Sequence, residues 1–188
     1  MIACTKNLKK NLAQIAQDNP KAEILFADEA RFGTHSKLGH GWFTKGSRTP
    51  VPVKLGYKNF YIYGCANPMT GRNFSLLLPK ANTECMNIFL KELGSEFVGK
   101  EIILVVDGAG WHKSKHLVVP QNIKLLYLPP YSPELNPVER LWLYIKRTVI
   151  RNRIYDTLED LEEAVCDFIN GLSEATIASV CNLSYLFS

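Results

Sequence analysis

The sequence predicts a mixed α/β sheet flanked by helices, and three observations carry the prediction. Residues 23–32, 58–66 and 72–78 read as strands that can pair antiparallel, and the turn signal Asn67-Pro68-Met69-Thr70-Gly71 joins the last two as a hairpin. The run Ile102-Ile103-Leu104-Val105-Val106 is apolar throughout, as a parallel strand covered on both faces is. Helical periodicity occupies the spaces between and after the later strands. Three antiparallel strands extended by two parallel ones then form a single sheet.

Each element follows from its local chemistry. Residues 1–20 are polar and closed by Pro20, so a short helix or a linker remnant is expected there, ahead of one domain over 21–188. After the first strand comes a glycine-rich segment with Pro50 and Pro52; residues 33–57 are read as an insert between strands one and two, of a length that usually accompanies function. Asn82 or Thr83 caps a helix reaching about residue 97, with Met86, Phe89, Leu90, Leu93 and Phe97 on one face. Residues 101–107 form the fourth strand, 108–117 a turn with room for a short helix, and 123–128 a fifth strand stopped by Pro129-Pro130. Asn136 is an N-cap residue and Pro137 suits the first helical position of a helix with its apolar stripe at Val138, Trp142, Ile145 and Val149. Thr157 opens a further helix, with Leu158, Leu161, Val165, Phe168 and Ile169 on one face, and Ser173 caps the last.

Composition narrows the function classes. The 188 residues are 46% apolar and 21% charged, which suits one globular domain with a full core. No apolar run approaches the roughly 20 residues of a membrane span, and the first residues lack a signal core of about 7–15 apolar residues. A cytosolic protein with no membrane partner is expected. Five cysteines with no C-x-x-C pair suggest buried thiols, not a disulfide framework or a zinc site. His112 and His116 are four apart, but no glutamate follows His112 to complete H-E-x-x-H. The net charge of +4 is concentrated in two stretches without a single acid: Arg31, Lys37, Lys45, Arg48, Lys54 and Lys58, then Arg140, Lys146, Arg147, Arg151 and Arg153. Such stretches suit a polyanion partner or two solvated faces.

Three carboxylates stand at the ends of separate elements. Asp107 closes the apolar strand, where it also suits an Asx turn with Gly108 and Ala109. Asp28 and Glu29 are neighbours on the first strand and face opposite sides of the sheet, so only one shares a site with Asp107. Asp28 is favoured because it sits flush with the end of its apolar run. Glu139 falls at the third helical position after Asn136, where a capping box is the simplest use for it. If three such acids converge, their chemistry is two-metal phosphoryl transfer, with hard oxygen ligands suited to Mg²⁺. Their like charges leave the empty site strained or part-protonated.

The motifs around these acids resemble one family. Phe26-Ala27-Asp28-Glu29-x-x-Phe32, Gly41-Trp42-x-x-Lys45-Gly46, Val106-Asp107-Gly-Ala-Gly-Trp-His112-Lys-Ser and Leu128-Pro-Pro-Tyr-Ser-Pro-Glu-Leu-Asn-Pro-Val-Glu139-Arg-Leu-Trp142 are similar to blocks of the mariner-like transposases of bacterial insertion sequences. These are DDE endonucleases with a ribonuclease H-like fold. The resemblance implies Asp28, Asp107 and Glu139 as catalytic and metal-binding residues holding two Mg²⁺ ions, with Mn²⁺ able to substitute. It selects Asp28 over Glu29 and a ligand role for Glu139 over capping alone. It further implies DNA cleavage at terminal inverted repeats, joining of the 3′-hydroxyl to target DNA, a homodimer in the DNA complex and a bacterial cytoplasmic setting. Lys45, Arg48, His112, Lys113, Arg140, Lys146 and Arg147 are the expected DNA contacts, with structural use an equal expectation for His112 and Lys113. The family usually carries an N-terminal helix-turn-helix region, for which about 20 residues are too few. An excised piece, a fragment or the second product of a split reading frame is expected. The alternatives are a nuclease of the same fold without strand transfer and an inactive DNA-binding remnant.

Overall fold

The computed structural model describes residues 14–15, 17–35, 45–46 and 56–182. Most of the 33–57 insert, Arg48 included, and residues 1–13 lie outside the described residues. Five strands form one sheet in the order β3-β2-β1-β4-β5. They are β1 (Glu23–Gly33), β2 (Asn59–Ala66), β3 (Asn73–Leu78), β4 (Ile102–Val106) and β5 (Ile123–Tyr127). β1 pairs antiparallel with β2 and β2 with β3, whereas β1, β4 and β5 run parallel. The sheet is the predicted one, and strand bounds agree to within a residue at nearly every end.

The alternation of β1 divides the core. Phe26, Ala30 and Phe32 face one apolar layer with Trp142, Ile145 and Leu161. Leu25 and Ala27 face the other, with Phe89, Leu90 and Leu93 of α1 (Thr83–Glu96). The first layer is closed by α2 (Val138–Ile145), α3 (Leu158–Asn170) and α4 (Glu174–Val180). The caps are the expected ones: Asn82 accepts from the Cys85 N–H, Thr157 forms a capping box with Asp160, and Ser173 accepts from the Thr176 N–H. α2 runs on into a π turn over Lys146–Ile150, which a stripe of 3–4 spacing does not announce. The wider turn lets the adjacent Val149 and Ile150 both enter the core.

Two glycines carry close approaches. Gly71 has φ +79° in the β2–β3 turn, and a Cβ there would lie 1.8 Å from the Glu174 carbonyl oxygen. Gly64 pairs with Asp28 across β1 and β2, and a Cβ there would meet the Trp142 ring at 2.5 Å. Glycine at 64 therefore lets the indole approach the sheet closely beside Asp28.

Candidate active site

Period-two alternation and strand register bring two acids together before any loop is considered. β1 and β4 pair Phe26 with Val105. Two residues further on, Asp28 in the middle of β1 lies beside Asp107, which stands just past the carboxyl end of β4, both on the side that carries Phe26 and Val105. α2 packs on that same face and supplies Glu139 in its first turn. Asp28, Asp107 and Glu139 line one cleft of about 460 Å³, with Lys113, Asn136 and the proline-rich turn before α2. Ligands of open α/β sheets gather at such strand ends.

Asn136 sets the position of α2. Its buried amide donates to the Ala27 carbonyl at 2.9 Å, and its Oδ1 accepts from the Val138 N–H at 3.2 Å. One side chain thus starts the helix and ties it to β1 immediately before Asp28. The expected capping box is not formed. The Asn136 N–H that Glu139 would need is taken by the Pro133 carbonyl at 2.9 Å, and the helix itself begins at Val138. Glu139 is exposed at the cleft, with its carboxylate not committed to the cap.

Asp28 accepts at Oδ2 from the Trp142 indole N–H, 3.0 Å away. Trp142, read from the sequence only as part of an apolar stripe, also orients an acid. Burial pushes the Asp28 pKa up to about 8, with the charges of Glu139, Glu29 and Asp107 adding to it. Burial, more than the like charges expected to act there, is what favours the protonated form of Asp28.

Glu29 points to the opposite layer, as alternation requires, yet it serves the same site through His112. The imidazole is 1% exposed and bridges two carboxylates: Nε2 to Glu29 Oε1 at 2.8 Å and Nδ1 to Asp107 Oδ1 at 2.7 Å. Trp111 also donates to Glu29 Oε1, at 3.3 Å, and the Tyr127 hydroxyl donates to the His112 carbonyl at 2.7 Å. Burial alone would lower the His112 pKa. The bonds to Asp107 and Glu29, with the charge of both, outweigh it and hold the imidazolium up to about 9. The same His112 bond, against the opposing effect of burial, keeps Asp107 below the usual carboxylate range, and the Ala109 N–H adds to it. The contacts of Asp107 with His112 and Ala109 fall on Oδ1, leaving Oδ2 for a ligand.

The expected DNA contacts divide. Lys113 lines the cleft, with Nζ 5.3 Å from the Tyr127 ring centroid; a Cβ at Gly108 would come within 3.0 Å of that ammonium. His112 is corrected from a surface contact to a buried bridge, because both ring nitrogens are engaged and the ring is covered. Lys45 and Arg147 are exposed and are not among the residues that line the cleft, Arg140 donates to the Asn182 carbonyl, and Lys146 lies over the Phe32 ring. His116 is exposed while His112 is buried, so the two do not form a metal pair.

These carboxylates fit a divalent metal. Among the described residues no three His, Cys, Asp or Glu side chains enclose an ion by themselves. Mg²⁺ asks for less: it usually takes one or two carboxylates, water and substrate phosphate. Burial does most to hold the proton on Asp28, and the neighbouring negative charges that add to it are what a cation would neutralise.

The pH dependence of stability follows. Asp28 ordinarily titrates near 3.8 and holds its proton to about 8 when folded. The folded chain therefore binds more protons across that window, and stability falls as pH rises through it. His112, ordinarily near 6.5, contributes stability below that value that is lost as pH rises through about 9. Asp107 acts oppositely, its contribution disappearing only as pH falls below its ordinary 3.8. In EDTA, the Tm is expected to fall from pH 5 to pH 9; a Tm that rises across this range contradicts these assignments.

A mixed β3-β2-β1-β4-β5 sheet between helical layers, with acids side by side on its two adjacent central strands, defines the ribonuclease H-like class. Residues 23–162 match the model of the DDE superfamily endonuclease family, and the chain belongs to that family. It is 42% identical over 113 residues to the uncharacterized protein y4pE/y4sA of Sinorhizobium fredii, covering 60% of this chain and 84% of the relative. It is 26% identical over 171 residues to the insertion element IS630 uncharacterized 39 kDa protein of Shigella sonnei, covering 88% of this chain and 49% of the relative. The Tc3 transposase of Caenorhabditis elegans is 24% identical over 172 residues, covering 85% and 52%. The chain thus spans about half the length of these last two relatives. Among solved structures, a pre-cleavage Mos1 transpososome superposes with TM-score 0.71 at 15% identity, over 95% of this chain and 57% of the other. The Mos1 mariner paired end complex with Mn superposes with TM-score 0.67 at 16% identity, over 94% and 57%. At these identities the likeness is one of fold.

Proposed function

We propose that this chain is the catalytic domain of an insertion-sequence transposase, which cuts DNA phosphodiesters at element ends and joins the freed 3′-hydroxyl to target DNA. The observation that carries the proposal is the cleft in which Asp28 of β1, Asp107 after β4 and Glu139 of the first turn of α2 meet, inside the span that matches the family. Asp28, Asp107 and Glu139 are the metal-binding carboxylates of this reading, for two Mg²⁺ or Mn²⁺ ions. When bound, such ions activate the attacking oxygen and stabilise the leaving one. The protein's own residues do the rest. Trp142 orients Asp28, His112 orients Asp107, and Asn136 holds the helix of Glu139 against β1. Lys113 places a positive charge in the same cleft for a phosphate. The relatives named as transposases and the Mos1 complexes, one with Mn and one with Mg, support this reading. Inverted repeats and target DNA are then the partners, and a homodimer is the active form on DNA.

The test is a reaction on supercoiled DNA carrying the element's ends, with Mg²⁺ or with EDTA. Metal-dependent joined products are expected. Hydrolysed ends without joining would favour a nuclease of the same fold, and DNA binding without cleavage an inactive remnant.

A further inference from the structure

We propose that Tyr131 is a stacking platform for a nucleobase that is unpaired next to the scissile phosphate; the proposal rests on the reading of the cleft as a DNA site. Tyr131 lines the cleft with the three carboxylates, yet its side chain is 101% exposed, and no other described large apolar side chain is as open. An aromatic ring that covers nothing in its own fold contributes nothing to the core. Its backbone is also held at φ 56°, in the left-handed region. That conformation is unfavourable for a residue with a Cβ and persists where the surroundings impose it. Here the surroundings are Pro129-Pro130 on one side and Pro133 on the other, with the Ser132 hydroxyl donating to the Pro130 carbonyl at 3.3 Å. The backbone that carries the ring is therefore held by the turn, and stacking has to order only the two torsions of the side chain itself.

The chemistry of the neighbours specifies the ligand. Carboxylates suited to metal, and Lys113, take the phosphate. What lies beside a phosphate in DNA is a sugar and a base, and of these the base has the flat π-face that a phenol ring stacks on. Bases inside a duplex have both faces covered by their neighbours. The base that meets Tyr131 must therefore be out of the stack, so the cleft acts on locally opened DNA. Stacking on an aromatic side chain is sequence-tolerant, so the contact grips DNA without reading it.

The experiment measures binding of short duplexes to the whole chain in Ca²⁺, so that it does not depend on cleavage. Each duplex carries the fluorescent adenine analogue 2-aminopurine, or an abasic sugar, at one position around the cleavage point. Tyr131→Gly removes the ring and relieves the left-handed backbone, so it should fold with an unchanged or higher Tm. Binding weakened about tenfold is expected, in line with base–aromatic stacking. Tyr131→Phe should bind like wild type. With wild type, 2-aminopurine at one position should report unstacking from its neighbours, and an abasic sugar at that position should erase the difference between wild type and Tyr131→Gly. Equal binding by wild type and Tyr131→Gly, or a difference that survives at every abasic position, overturns the proposal and leaves the carboxylate reading intact. A chain that binds none of the duplexes overturns both.

Discussion

Asp107→Asn and Glu139→Gln each abolish Mg²⁺-dependent nicking while the chain stays folded. The loss should exceed the roughly 10–100-fold typical of residues that only support a metal ligand. Both substitutions keep size and shape. An asparagine at 107 still accepts from the Ala109 N–H and the His112 ring, and the Asp107 side chain is 52% exposed, so little packing is disturbed. Glu139 is exposed, and the backbone donor it would cap is already bonded to Pro133. A Gln at 139 therefore cannot act by breaking a capping box. Nicking of a labelled or supercoiled DNA, alongside thermal unfolding, separates chemistry from folding. Normal nicking by Glu139→Gln would return Glu139 to an ordinary helix-start acid.

The largest effect on stability is expected at His112→Ala. The imidazole is the buried cation between Glu29 and Asp107, and the Glu29 carboxylate is 8% exposed. Removing His112 leaves a buried carboxylate with, among the described residues, only the Trp111 indole as donor, a situation that typically costs about 3–5 kcal/mol. For a chain of this length that corresponds to a Tm lower by about 10 °C, read by calorimetry or far-UV circular dichroism at pH 7. A Tm within a degree or two of wild type would mean that the bridge is not what holds Glu29 in place.

The fold was legible because its signals are local. The apolar run of β4, the hairpin turn before β3 and the caps at Asn82, Thr157 and Ser173 each announce themselves within a few residues. The site was legible only in part. Alternation on β1 separates Asp28 from Glu29, but which face meets Asp107 depends on the register Phe26–Val105 and on which layer carries α2. Neither is written locally. The Glu29–His112 bond joins residues 83 apart in sequence, so no spacing rule predicts it. Trp142 looked like core because it is core, at 2% exposure; its donation to Asp28 depends on Gly64 leaving room beneath the ring. The isolated glycine in β2 was the available signal, since glycine inside a strand often marks a close approach. The capping box at Glu139 failed for a local reason, the preceding 3₁₀ turn over Pro133–Leu135 having already used the Asn136 N–H.

The central claim is that Asp28, Asp107 and Glu139 together hold the metal, with Asp28 giving up its proton to do so. Calorimetric titration with Mn²⁺ at pH 7, in two buffers of different ionisation enthalpy, tests both parts at once. Wild type should bind Mn²⁺ and release about one proton, because a ligand must be deprotonated to coordinate. Asp28→Asn should bind more weakly and release none, and Asp107→Asn and Glu139→Gln should bind more weakly while Asp28 remains the proton source. Mn²⁺ affinity equal in all four proteins, with no buffer dependence in the wild type, would contradict the account.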